Sequence, residues 1–415
     1  MLHASVGFSD NPDTEIAGRE AAEEALAWAK VDRPCDLVLL FATARHNPDL
    51  LRDVVLSVTG RKTSIVGGGA IGAIVNNCFG YGGDQVGLAA IWMGESRFAL
   101  ASSGGTTGNE VAVGRALGEQ FASFGFKPGQ PVLLFYDAID RTCGDMRLHL
   151  ATPLLAGLEG ALGHLPPGLV GAGLQGDYEC SPSHLWTGRD VSSHHALLLA
   201  FDGELRLDSV VLHGCRPTGD YYTVTKADKQ TVLEIDGQPA IPFLEARAHL
   251  PADEFPFFLI LGVNHGDPAL PYDEMKYANH LCLALDRERN GIVMFESDLV
   301  AGARFQLMYR SLDFDYIAPK IDGLFAGLGG RRPVFSFYIN CAGRAARFAS
   351  EDQEDAVVVQ KAVAGRTPLL GIYSGVEIAP VAGKPRTLDW TGVFCLFSVG
   401  AGGAPEHTDA GAKVG

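Results

Sequence analysis

Val66-Gly67-Gly68-Gly69-Ala70-Ile71-Gly72 returns 104 residues later (171 minus 67) as Val170-Gly171-Ala172-Gly173-Leu174-Gln175-Gly176. Both copies read as a strand running into G-x-G-x-x-G. That fingerprint means a dinucleotide site only where the glycines open a helix whose N-terminus can hold a pyrophosphate. Here Ile74-Val75-Asn76-Asn77-Cys78-Phe79-Gly80 follows the first copy and Asp177-Tyr178-Glu179-Cys180-Ser181-Pro182 the second, and neither has helical periodicity. The glycines are therefore read as the mark of an internal duplication, and no nicotinamide or flavin cofactor is expected.

The duplication extends beyond the glycines. At a constant offset of 95, residues 1–41 overlie residues 96–136 without a gap (136 minus 41), so that Leu39-Leu40-Phe41 falls on Leu134-Phe135-Tyr136. Each copy reads as an opening strand, a turn-rich bridge, an amphipathic helix, a buried strand, a second helix, the glycine strand, a hairpin and a closing strand. Val113, Leu117, Phe121 and Phe124 lie on one face of a helix, while Leu37–Phe41 and Val132–Tyr136 are short unbroken apolar runs that suit strands covered on both faces.

A weaker third copy takes Phe305–Tyr309 as its opening strand and Val334–Tyr338 as its buried one. Ser350 caps a following helix in an S-x-x-Q box with Gln353, Leu369–Tyr373 stands in the glycine-strand position, and Val393–Phe397 closes the sheet. Between the copies, Thr223–Thr225 and Val232–Ile235 form a hairpin, and Pro239 starts a short helix. The expectation is an α/β fold of repeated β-α-β-α-β-hairpin units, with mixed sheets covered by helices and the N- and C-terminal halves packed together. An N-terminal domain would span 1–205 (copies 1–95 and 96–205) and a C-terminal domain 206–399, with 400–415 a flexible tail.

Composition narrows the function classes. A formal charge of −16 speaks against nucleic acid or an anionic membrane surface as partner, since both are bound through clustered Lys and Arg. No window approaches 18 uninterrupted apolar residues, and the N-terminus lacks a basic segment followed by an apolar run, so a soluble cytoplasmic protein is expected. Eight cysteines, scattered singly without a CxxC, read as reduced thiols.

Several segments resemble one family across nearly the whole chain. The glycine strand Ile65–Ile74 resembles the N-terminal FIST domain. The run from Val224-Thr225-Lys226 through Leu233-Glu234-Ile235-Asp236-Gly237-Gln238-Pro239-Ala240 is similar to the segment leading into the C-terminal FIST domain. Asn340-Cys341-Ala342-Gly343-Arg344 with Gly371-Ile372-Tyr373-Ser374-Gly375-Val376-Glu377 resembles that domain's signature. The resemblance implies an intracellular sensory module for small ligands such as amino acids, signalling to a partner protein in trans, a kinase or similar. One branch of the family senses nitric oxide through haem. This chain departs from the pattern at Val376, where the family has Gly before the Glu, and at Asp389-Trp390, which replace a His-Asn-like pair.

In open α/β sheets ligands settle beyond the carboxyl ends of the strands. The loops there carry Arg45, Arg141 and Arg344, four, five and six residues after Phe41, Tyr136 and Tyr338. Guanidinium forks pair with carboxylate or phosphate, which makes a small anionic or zwitterionic metabolite the expected ligand. Each arginine could instead pair with a nearby acid. Arg344 with Glu377 would hold the two ends of an amino acid, or would pair with each other and only hold the domain together. Tyr373 and Asn340 are secondary candidates. No metal site is expected: His213 and Cys215 share a strand face but have no second close pair, and His194 and His195 are adjacent and point to opposite faces. No cofactor is expected in the leading reading. In the haem alternative, His213, His149 or His265 would supply the axial ligand, His213 foremost. The catalytic motifs G-x-S-x-G, H-E-x-x-H and G-x-x-x-x-G-K-[ST] are absent. The one enzymatic alternative makes Cys341, its thiol acidified by Arg344, a nucleophile toward a small carbonyl or amide substrate.

Overall fold

The computed structural model describes residues 2–141, 144, 146–311, 313–349 and 353–400. Ser350, the expected helix cap, and tail residues 401–415 lie outside the described residues. The fold is mixed α/β, built from three units of the expected order. The first unit runs through strand His3–Ser9, helix Thr14–Ala29, strand Leu37–Ala42, helix Pro48–Thr59, glycine strand Ser64–Gly69, hairpin Gly72–Val75 and Cys78–Tyr81, and closing strand Val86–Trp92. The second repeats this from Arg97–Gly104 to His195–Asp202, and the third from Arg206–Leu212 to Gly392–Val399.

The units are interlocked. Each contributes four strands to a six-stranded sheet, ordered opening, closing, buried, glycine, and the last two places are filled by the hairpin of another unit. The hairpin of the second unit (Leu185–Gly188, Val191–Ser192) completes the first sheet, that of the third (Val376–Val381, Lys384–Leu388) completes the second, and that of the first completes the third. The glycine strand is the seam in every case, pairing parallel with the buried strand on one side and antiparallel with the incoming hairpin on the other. A Cβ at Gly67 would stand 2.0 Å from the Leu40 carbonyl oxygen, and one at Gly171 2.1 Å from that of Leu134. At Gly68 it would stand 2.6 Å from the His184 carbonyl oxygen at the start of the docking hairpin. The glycines thus serve backbone approach at the seams, and a strand rather than a helix follows the first copy.

The inner faces of the three sheets share one apolar core. Phe41, Phe135 and Phe337, one from each buried strand, meet at its centre with ring centroids 5.3 to 6.1 Å apart. The outer faces are covered by each unit's own helices, in the first unit through Ala17, Ala21 and Ala25. Helices Glu110–Ser123 and Ala151–Leu162 pack closely enough that a Cβ at Gly114 would meet the Leu154 carbonyl oxygen at 2.0 Å.

Two sequence expectations change. The offset of 95 slips by one in the strands. Val66 pairs with Leu39 and Val170 with Leu133, all four facing the core, so the true spacing of the buried strands is 94 (133 minus 39). The offset of 95 instead places Leu39 on Leu134, which faces the helices; a one-residue slip exchanges the faces of a strand. Secondly, Phe305–Tyr309 is not the third opening strand. It lies within strand Arg304–Arg310 of an insertion between Arg206–Leu212, the true opening strand, and helix Ile317–Ala326. The insertion is an antiparallel barrel: its sheet closes on itself where Ile260–Gly262 pairs with Gln306–Met308. Helix Ala240–Ala248 packs into the barrel's apolar core through Phe243 and Leu244. The hairpin and helix read there from sequence are present, as Tyr222–Asp228 with Thr231–Ile235 and as Ala240–Ala248.

Glycines at the seam and on the surface should respond oppositely to a methyl group. Gly67, with φ of +139° and a carbonyl in the way, should lose about 3 kcal/mol or more on Gly67→Ala. Gly160, on the exposed face of helix Ala151–Leu162 with nothing within 4 Å, should gain up to about 1 kcal/mol on Gly160→Ala. Urea midpoints of the two variants test the seam directly.

Candidate functional site

Because buried and glycine strands run parallel in every unit, their carboxyl ends and following loops gather at one end of the core. The loops cross-bond there: Ala44 N donates to the Gly176 oxygen at 2.9 Å, Ile71 N to that of Tyr373 at 3.2 Å, and Gly375 N to that of Gly173 at 3.0 Å.

The three arginines of these loops meet different ends. The Arg45 side chain is 61% exposed, with Asp84 at 3.8 Å. Arg141 donates to the carbonyl oxygens of Cys180 (3.1 Å) and Glu179 (2.6 Å), tying the second unit's hairpin loop to its strand end. Arg344 is buried and paired with Asp355 at 2.8 Å, and it also donates to the His213 carbonyl oxygen and the Tyr316 hydroxyl. Asn340 Nδ2 donates to Asp355 Oδ1 at 2.9 Å, and the Tyr338 hydroxyl donates to Asp355 Oδ2 at 3.2 Å. Two candidates are therefore spent on one carboxylate at the first position of helix Asp355–Val363, where the helix dipole also favours a negative charge. Tyr373 faces the helices, edge-on to Tyr81 at 5.1 Å, with Glu354 as its hydroxyl's partner at 3.4 Å. Among the described residues Glu377 forms an ion pair with neither Arg344 nor any other cation. It accepts from Ser374 Oγ at 2.8 Å, and its second oxygen is buried without a hydrogen bond.

Beside this knot, a cavity of about 390 Å³ opens between the strand ends of the second and third units and the inserted barrel. Phe257, Phe258 and Phe295 of the barrel line it together with Trp390, Phe348 and Tyr178. Tyr178 and Phe348 stack at 3.7 Å, and the Arg310 guanidinium lies 3.4 Å over the Trp390 ring. Cys341, Ser374, Gln175 and Asp389 supply the polar groups. None of the described lining residues is Lys or Arg.

Burial dominates the electrostatics of this floor. Burial, reinforced by Asp389, raises the Glu377 carboxyl well above the usual carboxylate range, and burial together with Glu296 and Asp298 does the same to Asp389. Asp389 still accepts from Leu281 N at 2.9 Å, which fastens the barrel to the third unit. The Cys341 thiol is pushed well up by burial and by the Glu377 and Asp389 carboxyls, the reverse of the acidified thiol expected from Arg344. His213 is buried away from the cavity, with Nδ1 accepting from Cys215 N at 3.0 Å, and burial pulls it down to about 4.

The sequence reading missed Asp355, the aromatic residues of the barrel and the polar pair Ser374 and Gln175. Asp355 sits in an acidic run that reads as helix-terminal, and Phe257 and Phe258 carry no periodicity. Trp390 and Asp389, noted only as departures from a family pattern, both line the cavity. Glu296 was also missed: from the barrel it caps helix Ala151–Leu162, accepting from Ala151 N (2.8 Å) and Thr152 N (2.9 Å).

A FIST N domain matches residues 36–238 and a FIST C domain matches residues 240–380. An uncharacterized protein of Mycobacterium tuberculosis is 26% identical over 409 residues, covering 95% of this chain and 100% of that one. An uncharacterized protein of Mycobacterium bovis is 25% identical over 289 residues, covering 65% of this chain and 72% of that one. Among solved structures, a cyanuric acid hydrolase from A. caulinodans is similar at a TM-score of 0.37 and 9% identity, covering 96% of this chain and 100% of that chain, a likeness too low to bear on activity.

Breaking the knot should cost stability. Arg344→Ala leaves Asp355 buried and uncompensated and should cost about 3–5 kcal/mol in urea unfolding. The cap supplies a pH test. Burial raises Glu296 to about 8, above its unfolded value near 4.3, so the native state holds a proton that the unfolded chain releases. The stabilisation is complete below pH ~4 and is lost as pH rises through ~8. The urea midpoint should therefore fall between pH 5 and 8.5, and Glu296→Gln should make that fall shallower.

Proposed function

We propose, from the premise that the chain belongs to the FIST family, that it is a sensory protein whose ligand occupies the cavity beside Cys341, Ser374 and Trp390. FIST domains are sensory and signal-transduction domains. The observation that carries the site is a cavity of about 390 Å³ with aromatic walls and a few convergent polar groups, the usual make-up of a small-molecule site.

The same cavity refines the ligand. An anion would need a free cation, and Arg344 is committed to Asp355 while no described lining residue is basic. Ser374 and Gln175 offer neutral donors and acceptors, and a cation beside Asp389 would offset the burial that raises its carboxyl. The ligand that fits is a small molecule with an apolar or aromatic body and an uncharged or amine-bearing polar end. An amino acid fits only as far as its ammonium and an apolar side chain. Since the cavity lies between the barrel and the three-unit body, a ligand would bridge the two, and the barrel's altered seating would be the signal passed to a partner protein, such as a kinase.

A thermal-shift screen of aromatic amines, amides and amino acids is the direct experiment; a ligand at a hundred times its Kd adds about 2.7 kcal/mol. Phe258→Ala, at a half-exposed position, and Ser374→Ala should each weaken a hit about tenfold in calorimetry. A hit whose affinity is untouched by both substitutions, or hits confined to simple carboxylates, would remove the cavity as the ligand site.

A further inference from the structure

On the second unit, separate from the cavity, three side chains converge that the sensory reading does not use. Asp137 ends the buried strand, His149 precedes helix Ala151–Leu162, and His194 precedes the closing strand His195–Asp202. Their ligating atoms all lie within 4.8 Å of one another. We propose that Asp137, His149 and His194 form a site for a divalent transition-metal ion of the zinc class, with the Thr106 or Thr107 hydroxyl or a water completing the coordination.

Each ligand is already oriented. His149 is buried, and its Nδ1 lies 2.7 Å from the Asp137 carbonyl oxygen, an acceptor that places the ring proton on Nδ1 and leaves the Nε2 lone pair for a metal. A backbone carbonyl in that role is the usual support of a metal-binding imidazole. The Thr107 and Thr106 hydroxyls stand near Nε2, at 3.3 and 3.4 Å.

The Asp137 carboxylate is wholly buried and fixed by three backbone donors. Oδ1 accepts from Ile139 N (3.2 Å) and Ser183 N (3.1 Å), and Oδ2 accepts from His194 N (3.0 Å). Oδ2 retains a lone pair on the side of His194, whose Nδ1 is 3.9 Å away, enclosed and without a hydrogen-bonded partner. Burial pushes the Asp137 carboxyl above its usual range, a cost that a bound cation would offset.

His194 is held in place by its backbone. Its φ of +51° is a left-handed conformation uncommon for a side chain of this size, kept by the bond to Asp137 and by Gly105 N and Thr106 N donating to its carbonyl oxygen at 2.9 and 3.2 Å. His195 turns instead to the Ser193 carbonyl oxygen and takes no part. Metal–ligand distances near 2.1 Å place neighbouring donors about 3.4 Å apart in a tetrahedral site, so the rings must close in by roughly an ångström. The donor set, two imidazoles and a carboxylate, suits zinc and its neighbours rather than calcium or magnesium.

The test uses the whole protein, stripped with a chelator and titrated with Zn²⁺ and with Co²⁺. Expected are one ion per chain, a rise in melting temperature that the chelator reverses, and cobalt d–d absorption of a nitrogen and oxygen site. His149→Gln and His194→Asn should each weaken binding at least about a hundredfold, the upper end of what losing a mere supporting partner costs. Asn tolerates the left-handed backbone, so His194→Asn should fold, which circular dichroism of the metal-free variant checks. His164→Gln, at an exposed histidine elsewhere, should change nothing. Absence of one-to-one binding, or binding unaffected by both site variants, overturns the proposal.

Discussion

The structure depends on a backbone contact that admits no side chain. At each seam the glycine strand lies between a parallel neighbour and an antiparallel hairpin from another unit, and at Gly67 and Gly171 a single added carbon would collide with a carbonyl oxygen. Those contacts close each glycine strand onto its own buried strand, and in the first unit Gly68, whose Cβ would stand 2.6 Å from the His184 carbonyl oxygen, does the same toward the incoming hairpin. Only with the hairpins docked do the three sheets reach six strands and enclose the core around Phe41, Phe135 and Phe337. The glycine pattern is thus a device of assembly, and the apolar core follows from it.

The same arrangement explains where charge is placed. The strand ends of three units arrive at one pole, which leaves loops to be fastened together out of water. The third unit does this with buried polar chemistry: Arg344, Asn340 and Tyr338 all satisfy Asp355, and Glu296 and Asp389 accept backbone N–H bonds that bind the inserted barrel to helix Ala151–Leu162 and to the third unit. A buried pair is costly to break and contributes little beyond holding its partners in register. The cavity between barrel and body takes its character from aromatic rings, with no Lys or Arg among its described lining residues.

Much of this architecture was legible in the sequence, for identifiable reasons. Unbroken apolar runs such as Leu37–Phe41 mark strands covered on both faces, and the repeated glycines mark the units. Register was less legible, because a one-residue insertion or deletion in a bridge changes the offset without changing the pattern; only the pairing of Leu39 with Val66 and Leu133 with Val170 fixes it. The third opening strand was misplaced because an insertion of about a hundred residues separates Arg206–Leu212 from its helix, and a barrel strand such as Arg304–Arg310 reads like any other strand. The candidate site was the least legible. Arg344, Asn340, Cys341, Tyr373 and Glu377 do come together at the end of the third unit, yet which of them faces a ligand depends on Asp355 and on barrel residues far away in sequence. The Asp137, His149 and His194 cluster was hidden for the same reason, since its members lie 12 and 45 residues apart (149 minus 137, 194 minus 149) and meet only through tertiary structure.

The exchange of hairpins also sets an order on events during synthesis. The first sheet can be completed once Ser192 has emerged, but the hairpin Gly72–Tyr81 has no sheet to join until Leu370–Tyr373 has been made, nearly 300 residues later (370 minus 75). The second sheet waits likewise for Val376–Leu388. For most of translation the nascent chain therefore carries an unpaired hairpin and an open glycine edge, the kind of surface that long-range β topologies expose while they fold slowly. Residues 369–399 complete two of the three sheets, so a deletion within them injures the whole body rather than one unit.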